Sequence, residues 1–289
     1  MKQAFLNLLF SLIAFSIAYS IALLTGLEVI QQAVLIAFLI QWILFIPAFY
    51  FQTEKFYDIT GSVTYISIVS YISIQSYYVI NVNVGSILLA SCIILWAIRL
   101  GSFLFTRIHK AGEDKRFKLI KPSPTRFFMT WTLQGMWVSI CSMCALTAIA
   151  SKNGVIQNGV FYMGMLVFIT GFVLEIIADM QKSRFRKNPD NKDQFIAHGL
   201  WYYSRHPNYF GEITLWLGIS IMSFSSLSGW QYITLISPLF TYLLLVYISG
   251  VRILEISGME KWGHLDKYQE YVRTTSSLFP YFKLSSKKK

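Results

Sequence analysis

Gly199-Leu200-Trp201-Tyr202-Tyr203-Ser204-Arg205-His206-Pro207-Asn208-Tyr209-Phe210-Gly211-Glu212 sets Arg, His, Asn and Glu at the mouth of an apolar run. A charge near hydrocarbon costs several kcal/mol, about 2.5–3.5 on insertion scales, unless it is paired or solvated, so such a cluster reads as a ligand or catalytic site. The rest of the chain agrees with a membrane setting. Its 289 residues are 55% hydrophobic and 13% charged, with a mean hydropathy of +0.51, whereas soluble domains carry about 25% charged residues.

Apolar runs near the length that crosses a bilayer, about 20 residues, fall at 4–24, 29–49, 62–80, 84–104, 127–150, 159–178, 207–225 and 231–251. The expected fold is therefore all-α, a polytopic bundle of about eight transmembrane helices. The first run is too long for a signal-peptide core, and Tyr19-Ser20-Ile21 offers no small-residue cleavage site. Lys and Arg accumulate on the cytoplasmic side. The segments 105–126, 179–206 and 252–289 hold 7, 6 and 8 of the 25 Lys and Arg residues, and the opposite loops hold only Lys152. Both termini are thus expected in the cytoplasm, as is the segment 50–61. The net charge of +11 reads as a topology signal and an attraction to anionic headgroups, with no need of nucleic acid. The source membrane, bacterial inner membrane or endoplasmic reticulum, stays open.

Cys92, Cys141 and Cys144 all lie in expected spans and suit apolar packing, so neither a metal nor a disulfide is implied. With no long linker or repeat, the expected organisation is one membrane domain. It has an N-terminal part, 1–126, and a C-terminal part, 127–289, that carries a cofactor site. Ser285–Lys289 reads as a frayed end.

Around the opening motif, Glu175 and Asp179 lie four apart on one helical face, followed by Lys182 and Arg186. Pro207 suits a first helical turn. Its neighbouring N–H groups attract anions, and Arg205 can grip a phosphate through two bonds. Asn208 and Glu212 project four apart from the same helix, and His206 is a candidate ligand contact. Arg99 lies two turns before Arg107, so both are expected to line one cytoplasm-facing cavity. Glu54 and Tyr57 sit together in Gln52–Asp58, where an acid and a phenol could clamp or protonate a carbonyl.

The words Ala178-Asp-Met-Gln-Lys-Ser-Arg-Phe-Arg186, Gly199 to Ile213, Trp216-Leu217-Gly218, Arg99-Leu100-Gly101, Glu113–Phe117 and Tyr268-Gln-Glu-Tyr271 resemble the steroid 5-alpha-reductase family, especially its bacterial branch. The resemblance runs from about residue 50 onward. It implies an integral membrane reductase that uses NADPH on a carbon–carbon double bond conjugated to a carbonyl in a steroid-like or other lipid. It also implies cofactor-binding roles for Asp179, Arg186, Arg205, Asn208 and Arg252, positions near nicotinamide and substrate for Glu212 and Trp216, and a carbonyl-holding acid in Glu54. Two positions depart from the family pattern: Trp96 stands where a catalytic tyrosine is placed, with Tyr57 as a possible substitute, and Glu175 stands in place of an amide. Isoprenylcysteine carboxyl methyltransferases share Arg-His-Pro and use S-adenosylmethionine, which makes them the alternative. A non-enzymatic scaffold or transporter is the third reading. No obligate protein partner is evident.

Overall fold

The computed structural model describes residues 1–80 and 83–281; Ser285–Lys289 lie outside them. Eleven α-helices follow in order: α1 (Lys2–Leu24), α2 (Glu28–Tyr50), α3 (Tyr57–Ile80), α4 (Val84–Ala111), α5 (Pro124–Ile149), α6 (Gly159–Lys187), α7 (Leu200–Tyr203), α8 (Pro207–Phe224), α9 (Ser237–Leu243), α10 (Val251–Trp262) and α11 (Asp266–Thr274). The β content among the described residues is one isolated bridge between Ser204 and Ser276. The protein is a polytopic helical membrane bundle.

Among the described residues six stretches are long and apolar enough to cross a membrane by length and composition: Lys2–Leu24, Glu28–Tyr50, Val84–Ala111, Pro124–Ile149, Gly159–Lys187 and Gly229–Trp262. The other two expected spans are helical but more polar. α3 carries Thr60, Ser62, Thr64, Ser67, Ser70, Ser73, Gln75 and Ser76, and α8 has only 18 residues, Asn208 and Glu212 among them. The last span is also broken. Its helix widens into a π-turn at Leu244–Ile248 and restarts at Val251, and between them the Gly250 backbone lies so close to the Leu245 carbonyl that a Cβ there would be 2.3 Å from it.

The chain forms two compact units. The first comprises Met1–Met163 and Ile219–Ser237. α5 is its central element, packed by α1, α2, α3 and α4, and every residue from Val138 to Ile149 is buried, as in a helix enclosed by others. Hydrogen bonds tie the helices across their apolar seams: Trp42 Nε1 donates to Thr132 Oγ1 at 3.0 Å, Asn7 Nδ2 to Thr125 Oγ1 at 3.1 Å, and Gln41 Nε2 to Thr64 Oγ1 at 2.8 Å. Each such bond is worth about 0.6 kcal/mol in a membrane bundle.

The second unit comprises Gly164–Gly218 and Pro238–Lys289. Without a hydrophobic driving force between helices in lipid, close backbone contact does the work, and small residues permit it. Gly164 and Gly171 on α6 meet Gly218 and Gly211 on α8. A Cβ on Gly171 would lie 2.4 Å from the Leu215 nitrogen, and one on Gly218 would lie 2.4 Å from the Phe168 nitrogen. The buried positions Phe161, Gly164, Phe168, Gly171, Glu175, Ala178 and Asp179 make one stripe on α6, so the glycine seam runs straight into two carboxylates.

Candidate functional site

In the second unit the chain after α6 turns back at Gly199. Its φ of +63° places it in the left-handed region that glycine enters without a Cβ penalty. The Gln181 side chain lies over that turn and accepts from the Leu200 N–H at 2.9 Å. One turn of α7 buries Trp201, whose Nε1 donates to the Ala178 carbonyl at 3.1 Å. The next residues are stitched to the C-terminal segment. Arg205 N donates to Ser276 O at 2.9 Å, Ser204 Oγ to Leu278 O at 2.7 Å, and the Tyr271 hydroxyl to Trp201 O at 2.6 Å.

Arg205 is the hub of this joint. Its Nε and Nη2 grip Glu255 at 3.0 and 2.8 Å, while Nη1 donates to the carbonyls of Val272 at 2.5 Å and Thr275 at 2.7 Å. Four of its five N–H donors are therefore engaged within the protein. His206 Nε2 meets the same Glu255 carboxylate at 2.7 Å, and its ring stacks on Tyr209 at 5.8 Å. Burial holds the His206 imidazole below its ordinary pKa, against the pull of Glu255, so the ring is neutral near pH 7. A neutral ring beside a carboxylate carries its proton on Nε2. Nδ1 then bears a lone pair, and it is buried without a hydrogen-bond partner.

Beside this triad lies a cavity of about 170 Å³, walled by Phe195, Trp201, Trp262, Tyr268 and Tyr271 and carrying Lys182, Arg186, Arg205, His206 and Glu255. Lys182 Nζ sits 4.5 Å from the Trp201 ring centre. Phe195 contacts Tyr268 and Tyr271 at centroid distances of 5.0 and 5.4 Å. Burial raises the pKa of both tyrosines, which keeps their hydroxyls protonated. Gly258 makes room for one of them, since a Cβ there would lie 2.1 Å from the Tyr268 hydroxyl.

Of the residues singled out from the sequence, Arg186, Arg205 and His206 line this cavity. Asp179 and Glu212 are buried on the α6 and α8 faces that meet along the glycine seam, with Glu175 beside them, and Trp216 is buried one turn beyond Glu212. Asn208 is half-buried on the first turn of α8, and Arg252 is exposed on α10. Sequence reasoning missed Glu255 and the aromatic wall. The Tyr268-x-x-Tyr271 spacing was visible, but nothing local pairs Glu255 with a residue fifty positions earlier.

The remaining candidates belong to the first unit. Glu54 is buried, accepts from the Asp114 N–H at 2.7 Å and pairs with Lys121, so it fastens the segment 112–123. The Tyr57 hydroxyl donates to the Thr130 carbonyl at 3.0 Å, and burial raises its pKa. Asp58 beside it is raised by burial against the pull of Arg107 and Arg116. Asp114 is pushed up by burial, but its bonds to Arg116 outweigh that and hold it low. Arg107 is exposed and Arg99 half-buried on α4, with the Arg99 guanidinium 5.6 Å from the Phe103 ring centre. Trp96 is buried edge-on to Tyr65 at 5.2 Å.

Comparison with known proteins gives relatives of two kinds. The chain is 30% identical over 115 residues to a probable O-methyltransferase, ustE, of Ustilaginoidea virens, covering 34% of this chain and 40% of that one. It is 29% identical over 123 residues to the steroid 5-alpha-reductase DET2 of Arabidopsis thaliana, covering 42% and 41%. To 3-oxo-5-alpha-steroid 4-dehydrogenase 1 of Homo sapiens it is 24% identical over 149 residues, covering 52% and 49%. The chain thus spans less than half the length of these curated relatives. No solved structure matches it. A family model described as "Protein of unknown function (DUF1295)" matches residues 44–275, and the chain belongs to that family, which is steroid 5-alpha-reductase-like.

Proposed function

We propose that the protein is a membrane oxidoreductase that uses NADPH to reduce a carbon–carbon double bond conjugated to a carbonyl in a steroid-like or other lipid. The observation that carries this reading is the second unit's cavity, where an aromatic wall and the side chains of Lys182, Arg186 and Arg205 share one lining. Rings stack on such walls, and phosphates suit Lys182 and Arg186. The fit of a dinucleotide rests on that donor set. When bound, NADPH supplies a hydride to the carbon beta to the carbonyl.

The protein's own part is to bind, orient and manage a proton. Arg205 orders the cavity rather than offering a vacant fork, because Glu255 and two carbonyls occupy four of its five donors. Asp179, Asn208 and Arg252 are the proposed further contacts to the cofactor. Trp96 and Trp216 are the proposed substrate contacts. Glu54, Tyr57 and Glu212 are the proposed acid groups, and Glu54 and Tyr57 deliver a proton only after giving up the bonds to Lys121 and Thr130.

The similarity to an O-methyltransferase supports a second reading, transfer of a methyl group from S-adenosylmethionine. Thermal unfolding of the detergent-purified protein separates the two, since a ligand present at a hundred times its Kd stabilises the folded state by about 2.7 kcal/mol. NADPH alone is expected to raise the midpoint. A rise with S-adenosylmethionine alone reverses the assignment, and no rise with NADPH removes it.

A further inference from the structure

We infer that the connection between α4 and α5 is a binding site for an anionic phospholipid, with Lys118 and Arg126 facing the headgroup phosphate and Leu119 entering the apolar layer beneath it. The inference is independent of the cofactor reading. The two helices are long and apolar enough to cross a membrane. Their 28 and 26 residues run about 42 and 39 Å at 1.5 Å per residue, against a hydrocarbon thickness of about 30 Å. The turn between them therefore lies at headgroup level. Tyr50 and Phe51 mark the same level: they are exposed at the end of α2 with ring centres 5.0 Å apart, a few residues before the Glu54 that fastens the segment, and aromatic side chains collect at the membrane–water boundary.

Within the segment the fold sorts the side chains. Phe117 belongs to a core with Ala48, Phe127 and Trp131, Ile120 packs against it, and Lys121 pairs with the buried Glu54. Lys118 and Leu119, which lie between these inward residues, are exposed, Leu119 at 77%. Arg126 is exposed on the first turn of α5, and its Nη1 reaches back to the Leu119 carbonyl at 3.4 Å, which sets the guanidinium beside the same turn. Arg116 is paired with Asp114, whereas among the described residues Lys118 and Arg126 make no ion pair with a carboxylate. The stretch 105–126 holds seven Lys and Arg residues against two acids, Glu113 and Asp114, so its charge complements an anion. A free phosphate would meet the two cations and leave Leu119 in water. A phospholipid serves both, with its phosphate on the cations and its acyl chains against the leucine.

The test is amide exchange of the full-length protein in nanodiscs of phosphatidylcholine alone and of phosphatidylcholine with phosphatidylglycerol. The anionic lipid is expected to slow exchange in 115–121 by about fivefold or more, since each Lys or Arg near an anionic surface contributes about 1 kcal/mol, and about 1.4 kcal/mol is tenfold. The loop 151–158 at the other end of α5, whose only Lys or Arg is Lys152, serves as the control and is expected to exchange alike in both discs. Lys118→Gln is expected to reduce the slowing and Lys118→Arg to keep it. Salt at roughly 1 M, where the screening length falls to about 3 Å, should bring exchange toward the phosphatidylcholine value. Equal exchange of 115–121 in the two discs overturns the inference, as does equal slowing of both loops or a slowing that neither Lys118→Gln nor salt reduces. The same slowing by inorganic phosphate in phosphatidylcholine discs also overturns it, because a free anion then suffices. The wild-type comparison decides even if a variant fails to fold.

Discussion

Replacing Gly171 by Ala tests whether backbone contact between α6 and α8 sets the second unit. The new Cβ would lie 2.4 Å from the Leu215 nitrogen, 2.6 Å from the Gly211 oxygen and 3.0 Å from the Leu215 Cα. Carbon contacts relax at about 3.5–4.0 Å, so the helices must separate by roughly 1 Å. None of the three atoms ends a flexible side chain, so the cost belongs at the upper part of the overpacking range, about 1–3 kcal/mol. Alanine returns about 1 kcal/mol of helix propensity. The clash wins, with a net loss of about 1–2 kcal/mol, or a midpoint lower by about 2–8 °C at the 2–4 °C per kcal/mol of mid-sized proteins. Thermal unfolding in detergent reads this directly, with Gly159→Ala as the control, since nothing lies within 4 Å of a Cβ there. A Gly171→Ala protein that melts with or above the wild type, while Gly159→Ala does the same, refutes backbone contact as the basis of the seam.

Arg205→Ala leaves Glu255 without its fork and the Val272 and Thr275 carbonyls without a donor, and is expected to cost about 3–5 kcal/mol; limited proteolysis should then cut faster after α11, and an unchanged cutting rate would count against the hub. Gly199→Ala meets both a φ of +63° and the Gln181 amide at 2.6 Å, an expected loss of about 1–3 kcal/mol that Gln181→Ala should only partly relieve, because the dihedral strain stays. The depressed His206 pKa means the unfolded chain binds more protons than the folded one below the ordinary value of about 6.5. Its stability contribution is therefore complete above that value and lost as pH falls, and His206→Phe should flatten the slope of the melting midpoint between pH 7.5 and 5.5. Glu54→Gln keeps an acceptor for the Asp114 N–H but loses the charge that faces Lys121, so amide exchange in 112–123 should quicken; identical exchange would show that the pair does not fasten that segment.

Hydropathy made the helical membrane class legible, because crossing a bilayer constrains composition over whole spans and needs no knowledge of partners. Its signal is weaker at α3 and α8, which are helical but carry more polar residues. A run of Ser and Thr raises polarity without preventing a helix, since their hydroxyls can bond back along it, as Thr60 does to Phe56 O and Thr64 to Thr60 O. The Arg-His-Pro word was legible as a site. What each residue does there was not, since Arg205 looks like a phosphate grip until the chain after α10 comes back to occupy it.

That difference has a consequence for how charge is used in the two units. Arg205 and Glu54 are each a charge that the sequence presents as chemistry, and the fold pairs each with a partner, Glu255 and Lys121, to hold a loop. Removing one partner of such a pair costs more than the pair contributes, so a loss of activity in Arg205→Ala or Glu54→Gln cannot by itself mark a catalytic role. His206 is different in kind. Its Nε2 is bound within the triad, while its Nδ1 is buried with no hydrogen-bond partner among the described residues, so replacing the ring removes one bond of the triad and one unsatisfied atom together, and the net change in stability is smaller than for either charged member.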